Sequence, residues 1–159
     1  MRPHRPASRK VAIVMGSESD RATMSAAEST LSHFGVPFET FVLSAHRTPE
    51  VTADFAKKAA ERGFAVVIAG AGMAAHLPGV VAAYTTLPVI GVPLDSSPLR
   101  GVDALYSIVQ MPKGVPVATV GIGAAANAAI LAVQILATAD HDLADALVRF
   151  KQAGSVLGT

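Results

Sequence analysis

Short runs of consecutive apolar, β-branched residues alternate along the chain with longer Ala-rich stretches, and Gly, Ser or Pro stands at each junction. The runs predict strands over residues 11–15, 38–43, 65–69, 89–92 and 117–120. None carries the in-and-out alternation of a strand with one wet face, so they suit a parallel sheet covered on both sides. The stretches between them predict helices over 21–34, 50–62, 79–85, 102–108, 124–137 and 140–153. This is a βαβ series. Right-handed crossovers then give an α/β fold, a three-layer, doubly wound parallel sheet of flavodoxin-like or Rossmann-like type.

The last two helices differ in character. AAANAAILAVQILA is apolar nearly all round, which predicts burial both inside the domain and against a neighbouring subunit. The final helix has Asp140 as its N-cap and Leu143, Leu147 and Phe150 on one stripe, with Gly154 ending it. It reads as a C-terminal helical packing arm. Residues 1–9, rich in Arg and Pro, read as a flexible basic arm, and 10–159 as a single domain without repeats or linkers.

Composition narrows the partners. Of 159 residues 51% are hydrophobic and 16% charged, with a net charge of +1, so the chain can bury enough surface to fold. The longest apolar stretch, 124–139, is interrupted by Asn127 and Gln134 and falls short of the ~20 residues that span a membrane. The basic N-terminus lacks a signal peptide's apolar region, which predicts a cytoplasmic protein. With no Cys, disulfides, thiolate nucleophiles and Cys-based metal sites are excluded. Near-neutral charge and 5% aromatics argue against nucleic acid and leave a small molecule as the expected partner. Ordinary domains are about 25% charged. So apolar a small domain is expected to bury surface against copies of itself.

In an open parallel sheet, ligands bind beyond the carboxyl ends of the strands. Three loops there carry chemistry. Gly16-Ser17-Glu18-Ser19-Asp20 offers hydroxyls and helix N-terminal amides to a phosphate, although Ser19 or Asp20 could simply cap the helix. Ser44-Ala45-His46-Arg47-Thr48-Pro49 sets a forked phosphate donor beside a group that carries a proton near neutrality. Thr48, Pro49 and Glu50 also read as Ncap, N1 and N2 of the next helix. Gly70-Ala71-Gly72-Met73-Ala74-Ala75-His76-Leu77 lets a flat ligand lie against backbone, with His76 at the rim. Gly70, Gly72 and Ala75 also fit a loose dinucleotide pattern with Asp95 as its acid, but that fingerprint belongs after a first strand. A metal held by His46 and His76 with Asp20 or Asp95 lacks any supporting ligand spacing. His4, His33 and His141 read as solvated bystanders. The residues alone thus predict a phosphorylated small molecule and proton transfer, with no cofactor.

The runs VAIVMGSESD, SAHRTPE, AGAGMAAHLPGVVAA, LPVIGVPLDSS and GVDALYSIVQMPKGVPVATVGIG, in this order and spacing, resemble the PurE family of N5-carboxyaminoimidazole ribonucleotide mutases of purine biosynthesis. The resemblance covers roughly residues 10–153. It implies a cofactor-independent isomerase that moves a carboxylate from the exocyclic nitrogen to C4 of the imidazole, through released and trapped carbon dioxide. It implies an octamer with sites between subunits. His46 matches the family's catalytic histidine, Ser17, Ser44 and Arg47 match phosphate positions, and Asp20 matches the ribose position. Gly16, Ser19 and Ala45 belong to the same loops, and Gly70, Ala71, Gly72, Met73, Ala74, His76 and Leu77 match the segment over the ring and carboxylate, with His76 near the latter. Arg47-Thr48-Pro49 looks like the mutase version of this loop, since direct carboxylases usually show Lys-Gly-Pro.

Three positions depart from the family pattern: Met73 replaces a small Gly, the segment between Gly123 and Asn127 is shorter, and Asp95 precedes Ser96. The rival readings are a direct aminoimidazole ribonucleotide carboxylase and a non-catalytic nucleotide-binding oligomer.

Overall fold

Met15, at the end of the first strand, lies opposite Val42 on one side and Gly70 on the other, so three loops open along one edge of the sheet. The computed structural model describes residues 9–158. The elements run β1 (Lys10–Met15), a single 3-10 turn (Glu18–Asp20), α1 (Arg21–His33), β2 (Phe38–Val42), α2 (Pro49–Lys58), β3 (Phe64–Gly72) and α3 (Leu77–Tyr84). There follow β4 (Val89–Leu94), α4 (Val102–Val109), β5 (Ala118–Thr119), α5 (Ala125–Ala137) and α6 (His141–Gln152). All pairings are parallel, in the order β2-β1-β3-β4-β5. This is the doubly wound α/β sandwich the alternation predicts. Most of the basic arm, His4 included, lies outside the described residues.

Strand alternation divides the core. Val11, Ile13 and Met15 point into one apolar layer with α1, α5 and α6, while Ala12 and Val14 point into the other, with α2, α3 and α4. Ile13, Ile68 and Ile90 are wholly buried, and each such side chain contributes about 1.5–3 kcal/mol relative to exposure. On α5, Ala125, Ala128, Ala129, Ala132, Val133 and Leu136 are buried, and Asn127 and Gln134 are exposed. Asp140 caps α6 as expected, its Oδ1 accepting from the amides of Asp142 (3.1 Å) and Leu143 (3.2 Å). Phe150 closes the stripe against Phe34, their rings 5.3 Å apart. Past α6, Gly154 takes the left-handed φ of +86° that its role as a helix stop requires.

Several boundaries differ from expectation. β3 continues through Gly72, because Ala71 and Gly72 pair with Pro93 and Leu94 although their side chains read as a loop. α2 stops at Lys58, where the chain turns through Gly63 at φ +85° into β3. α3 starts two residues early, since Pro78 is tolerated in a first helical turn. β5 shrinks to two residues behind Pro116, which has no amide to give a ladder. β2 is only half buried at the sheet edge, and its Glu39 pairs with Lys10 and, at 3.7 Å, with Arg62.

Leu99, Val102, Tyr106 and Val109 are exposed and, on α4, recur at helical spacing. α4 therefore presents apolar side chains outward as well as inward, where Ala104 and Ile108 are buried. Among the described residues no helix is long and apolar enough to cross a membrane.

Candidate active site

Beyond the carboxyl ends of β1, β2, β3 and β4 lies a cleft of about 350 Å³. Its walls come from the loops after those strands, so each wall is set by one local sequence.

On the β1 side, Ser17 is the cap. Its Oγ accepts from the Ser19 amide (3.3 Å) and lies 2.9 Å from Ser19 Oγ, while its own amide donates to Asp20 Oδ2 at 3.1 Å. This reciprocal box rigidifies the turn. The alternative reading, in which the Ser19 or Asp20 side chain caps the helix, is not met. Asp20 precedes α1 yet its side chain caps nothing there. Burial pushes the Asp20 carboxyl above its ordinary range, and the Ser17 amide pulls it partly back. Glu18 points away, held below the usual carboxylate range chiefly by its hydrogen bond from Arg21.

On the β2 side, the tip is tied from beneath. Ser44 Oγ accepts from the Arg47 amide at 3.0 Å, and Thr48 Oγ1 accepts from the Ser44 amide and donates to its carbonyl, both at 3.1 Å. Thr48 and Pro49 occupy the Ncap and N1 positions of α2 as expected, but the Thr48 hydroxyl turns back to Ser44 instead of capping helix amides. Wholly buried Thr52 adds a bond to the Thr48 carbonyl at 2.9 Å. His46 and Arg47 stand exposed at this braced tip. Among the described residues no carboxylate lies within ion-pair distance of Arg47.

On the β3 side, Met73 turns the chain at a left-handed φ of +57°, a conformation a glycine would take without strain, and is 59% exposed. The chain then enters α3 at Leu77, with His76 at its mouth. His46 Nε2 and His76 Nδ1 are 2.5 Å apart, with the rings nearly perpendicular at 84°. Two histidines that the sequence offers separately thus form one hydrogen-bonded pair.

Gly16, Ser17, Ser19, Asp20, Ser44, Ala45, His46, Arg47, Ala71, Gly72, Met73, Ala74, His76 and Leu77 all line the cleft. Gly70 does not. It is buried below the floor, and a Cβ there would lie 2.4 Å from Met24 Sδ, so this glycine makes room for a core side chain. Ala75 of the same loop also lines the cleft, and one lining residue was not anticipated, Ser96. Ser96 follows β4, and the rule that located the other three loops applies there equally.

The dinucleotide alternative fails on geometry. Gly70 and Gly72 lie within a strand instead of a turn, and Asp95 pairs with Arg100 Nε at 3.3 Å outside the cleft lining. A larger hollow of about 440 Å³ lies between α2 and α3, lined by Glu50, Asp54, Lys57 and Tyr84 among others. Lys57 already stacks over the Tyr84 ring there, and among the described residues no histidine or hydroxyl cluster lines it, so the chemistry favours the smaller cleft. Among the described residues no three of His, Cys, Asp and Glu gather as metal ligands.

Comparison with known proteins agrees with this geometry. A model of the AIR carboxylase family matches residues 10–155. Proteins named N5-carboxyaminoimidazole ribonucleotide mutase are similar throughout: that of Vibrio parahaemolyticus is 60% identical over 136 residues, covering 84% of either chain. That of Escherichia coli is 56% identical over 146 residues, 91% of this chain and 86% of the relative. Treponema denticola PurE, a solved structure, superposes with a TM-score of 0.83 at 30% identity over 92% of each chain. With a family match running from the start of β1 to beyond α6, and relatives at this identity over nearly their whole length, the chain belongs to the AIR carboxylase family.

Proposed function

We propose that the protein is an N5-carboxyaminoimidazole ribonucleotide mutase, an isomerase of purine biosynthesis that yields 4-carboxy-5-aminoimidazole ribonucleotide. The observation that carries this reading is a single cleft whose lining joins His46 to the Ser17 and Ser44 hydroxyls, the Arg47 guanidinium and the small residues Ala71, Gly72 and Ala74. Ser17, Ser19, Ser44 and Arg47 hold the 5′-phosphate, Asp20 the ribose hydroxyls, and the backbone of Ala71, Gly72 and Ala74 faces the ring. High identity to curated mutases supports the same reaction.

The step balances on one imidazole. Protonated His46 gives its proton to the exocyclic nitrogen as the N–C bond breaks, leaving the free amine and carbon dioxide. C4 of the ring then attacks the trapped carbon dioxide, and His46 takes the C4 proton as the C–C bond forms. No proton is gained or lost overall, no electron is transferred, and the step as written calls for no metal or organic cofactor. Met73 and Leu77 at the cleft help keep carbon dioxide in and water out.

The working form is an octamer in the cytoplasm. The outward apolar side chains of α4 and the 16% charged composition support association with further copies.

The test mixes purified protein with freshly made N5-carboxyaminoimidazole ribonucleotide, without ATP, metal or bicarbonate, and follows the 4-carboxy product. Formation above the spontaneous rate, lost in His46→Asn, is expected. The family's description as AIR carboxylase favours one second reading, direct carboxylation of aminoimidazole ribonucleotide. Turnover only with added bicarbonate would replace the mutase by that reading, and ligand binding without turnover in either assay would leave a non-catalytic oligomer.

A further inference from the structure

Ser96 enters the cleft from the loop after β4 and has no part in the scheme above. A Cβ built on Gly72 would lie 1.7 Å from Ser96 Oγ and 3.0 Å from Ser96 Cβ. The serine side chain therefore occupies the space that any other residue at 72 would fill, against the bare backbone of the last residue of β3. Gly72 is a glycine for the sake of this hydroxyl. Next door, Ser97 is fully employed: its Oγ donates to Asp103 Oδ2 at 2.8 Å and accepts from the Leu99 amide at 3.1 Å. Ser96 Oγ, by contrast, makes no hydrogen bond among the described residues, so it meets the cleft with both donor and acceptor capacity unused.

Position decides which part of a ligand it meets. β3 lies between β1 and β4, about 4.8 Å from each. A ligand with its phosphate at Ser17 and Arg47, on the β1 and β2 side, crosses the end of β3 and brings its far end to Ser96. Resting on the mutase reading, we infer that Ser96 is a substrate-contacting residue. Its hydroxyl hydrogen-bonds the polar substituents of the imidazole, donating to the carboxylate or accepting from the exocyclic amine, at the end opposite the phosphate.

Calorimetric binding of two ligands to the intact protein tests this: the 4-carboxy ribonucleotide product, and ribose 5-phosphate, which lacks the ring. Ser96→Ala is expected to weaken the product about tenfold or more, as loss of a hydrogen bond to a charged group does, and to leave ribose 5-phosphate within about twofold. Parallel weakening of both ligands would mean that Ser96 only shapes the loop, and no weakening of either would mean that it touches nothing; both overturn the inference. Gly72→Ala, which must displace Ser96 Oγ, is expected to reproduce the selective loss. The mutase reading is judged separately, by turnover of the unaltered protein: normal turnover with an unselective Ser96→Ala sinks only the serine's role, whereas failure of the unaltered protein to bind product sinks both.

Discussion

His46 Nε2 lies 2.5 Å from His76 Nδ1, although the two residues are 30 apart and leave different strands. One nitrogen donates and the other accepts, so the contact is made with one proton between two rings. The contact ties the tip of the loop after β2 to the residue that precedes α3, with the two rings nearly perpendicular.

Replacing His46 with Asn removes the proton carrier while keeping a polar side chain of similar reach. Turnover is expected to fall at least about 100-fold, with product affinity by calorimetry within about threefold. Equal losses in rate and affinity would assign His46 to binding alone.

Among the described residues Arg47 has no carboxylate partner, and it stands on a tip braced by Ser44 and Thr48. Arg47→Ala is expected to weaken the phosphorylated product by about 1.5–3 kcal/mol and to leave the dephosphorylated nucleoside unaffected. Arg47→Lys restores only part, because the forked donor is lost. An unchanged ratio between the two ligands would move the phosphate elsewhere.

Asp20 carries a pH signature. Burial raises its carboxyl pKa in the folded protein, so the native state holds this proton more readily than the unfolded chain does. Its contribution to stability therefore falls as pH climbs from the ordinary Asp range through the raised folded value, and is level above it. Ribose binding that needs the ionised carboxylate grows over the same window. In urea titrations from pH 3.5 upward, Asp20→Asn is expected to lose this decline, and its acid limb of product binding to flatten. A wild-type and variant pair with parallel profiles would contradict the assignment.

Gly70 supplies a stability test that spares the site. Its missing side chain is the space of the Met24 thioether, so Gly70→Ala is expected to cost about 1–3 kcal/mol by overpacking. In a Met24→Ala background the same change should cost much less, by urea unfolding. KM is expected to stay unchanged in Gly70→Ala, since the residue lies under the floor and outside the lining.

The alternation of strands and helices was legible because buried parallel strands leave uninterrupted apolar runs, as in Val11 to Met15. The end of β3 was not, since glycine marks a turn to the eye while its backbone pairs as well as any other, here with Val92 and Leu94. The spacing of Ser17 and Asp20 does resemble a capping box and could have named the cap. Nothing in a single chain of letters places His76 against His46, or Ser96 over Gly72, because both depend on how neighbouring strands line up. Met73 stands out in the sequence only as a replacement for a family glycine, and its left-handed backbone supplies the physical reason for a glycine there.

The two ends of the sheet bear on how copies of the protein meet. β5 has only Ala118 and Thr119 in the ladder, and β2 carries Glu39 with Lys10 and Arg62 gathered around it. A rim so short on one side and so charged on the other gives a second chain little to extend by edge-to-edge strand addition. Growth into fibrils is thereby discouraged, and any contact between copies is left to helix surfaces, where geometry can close on itself and stop.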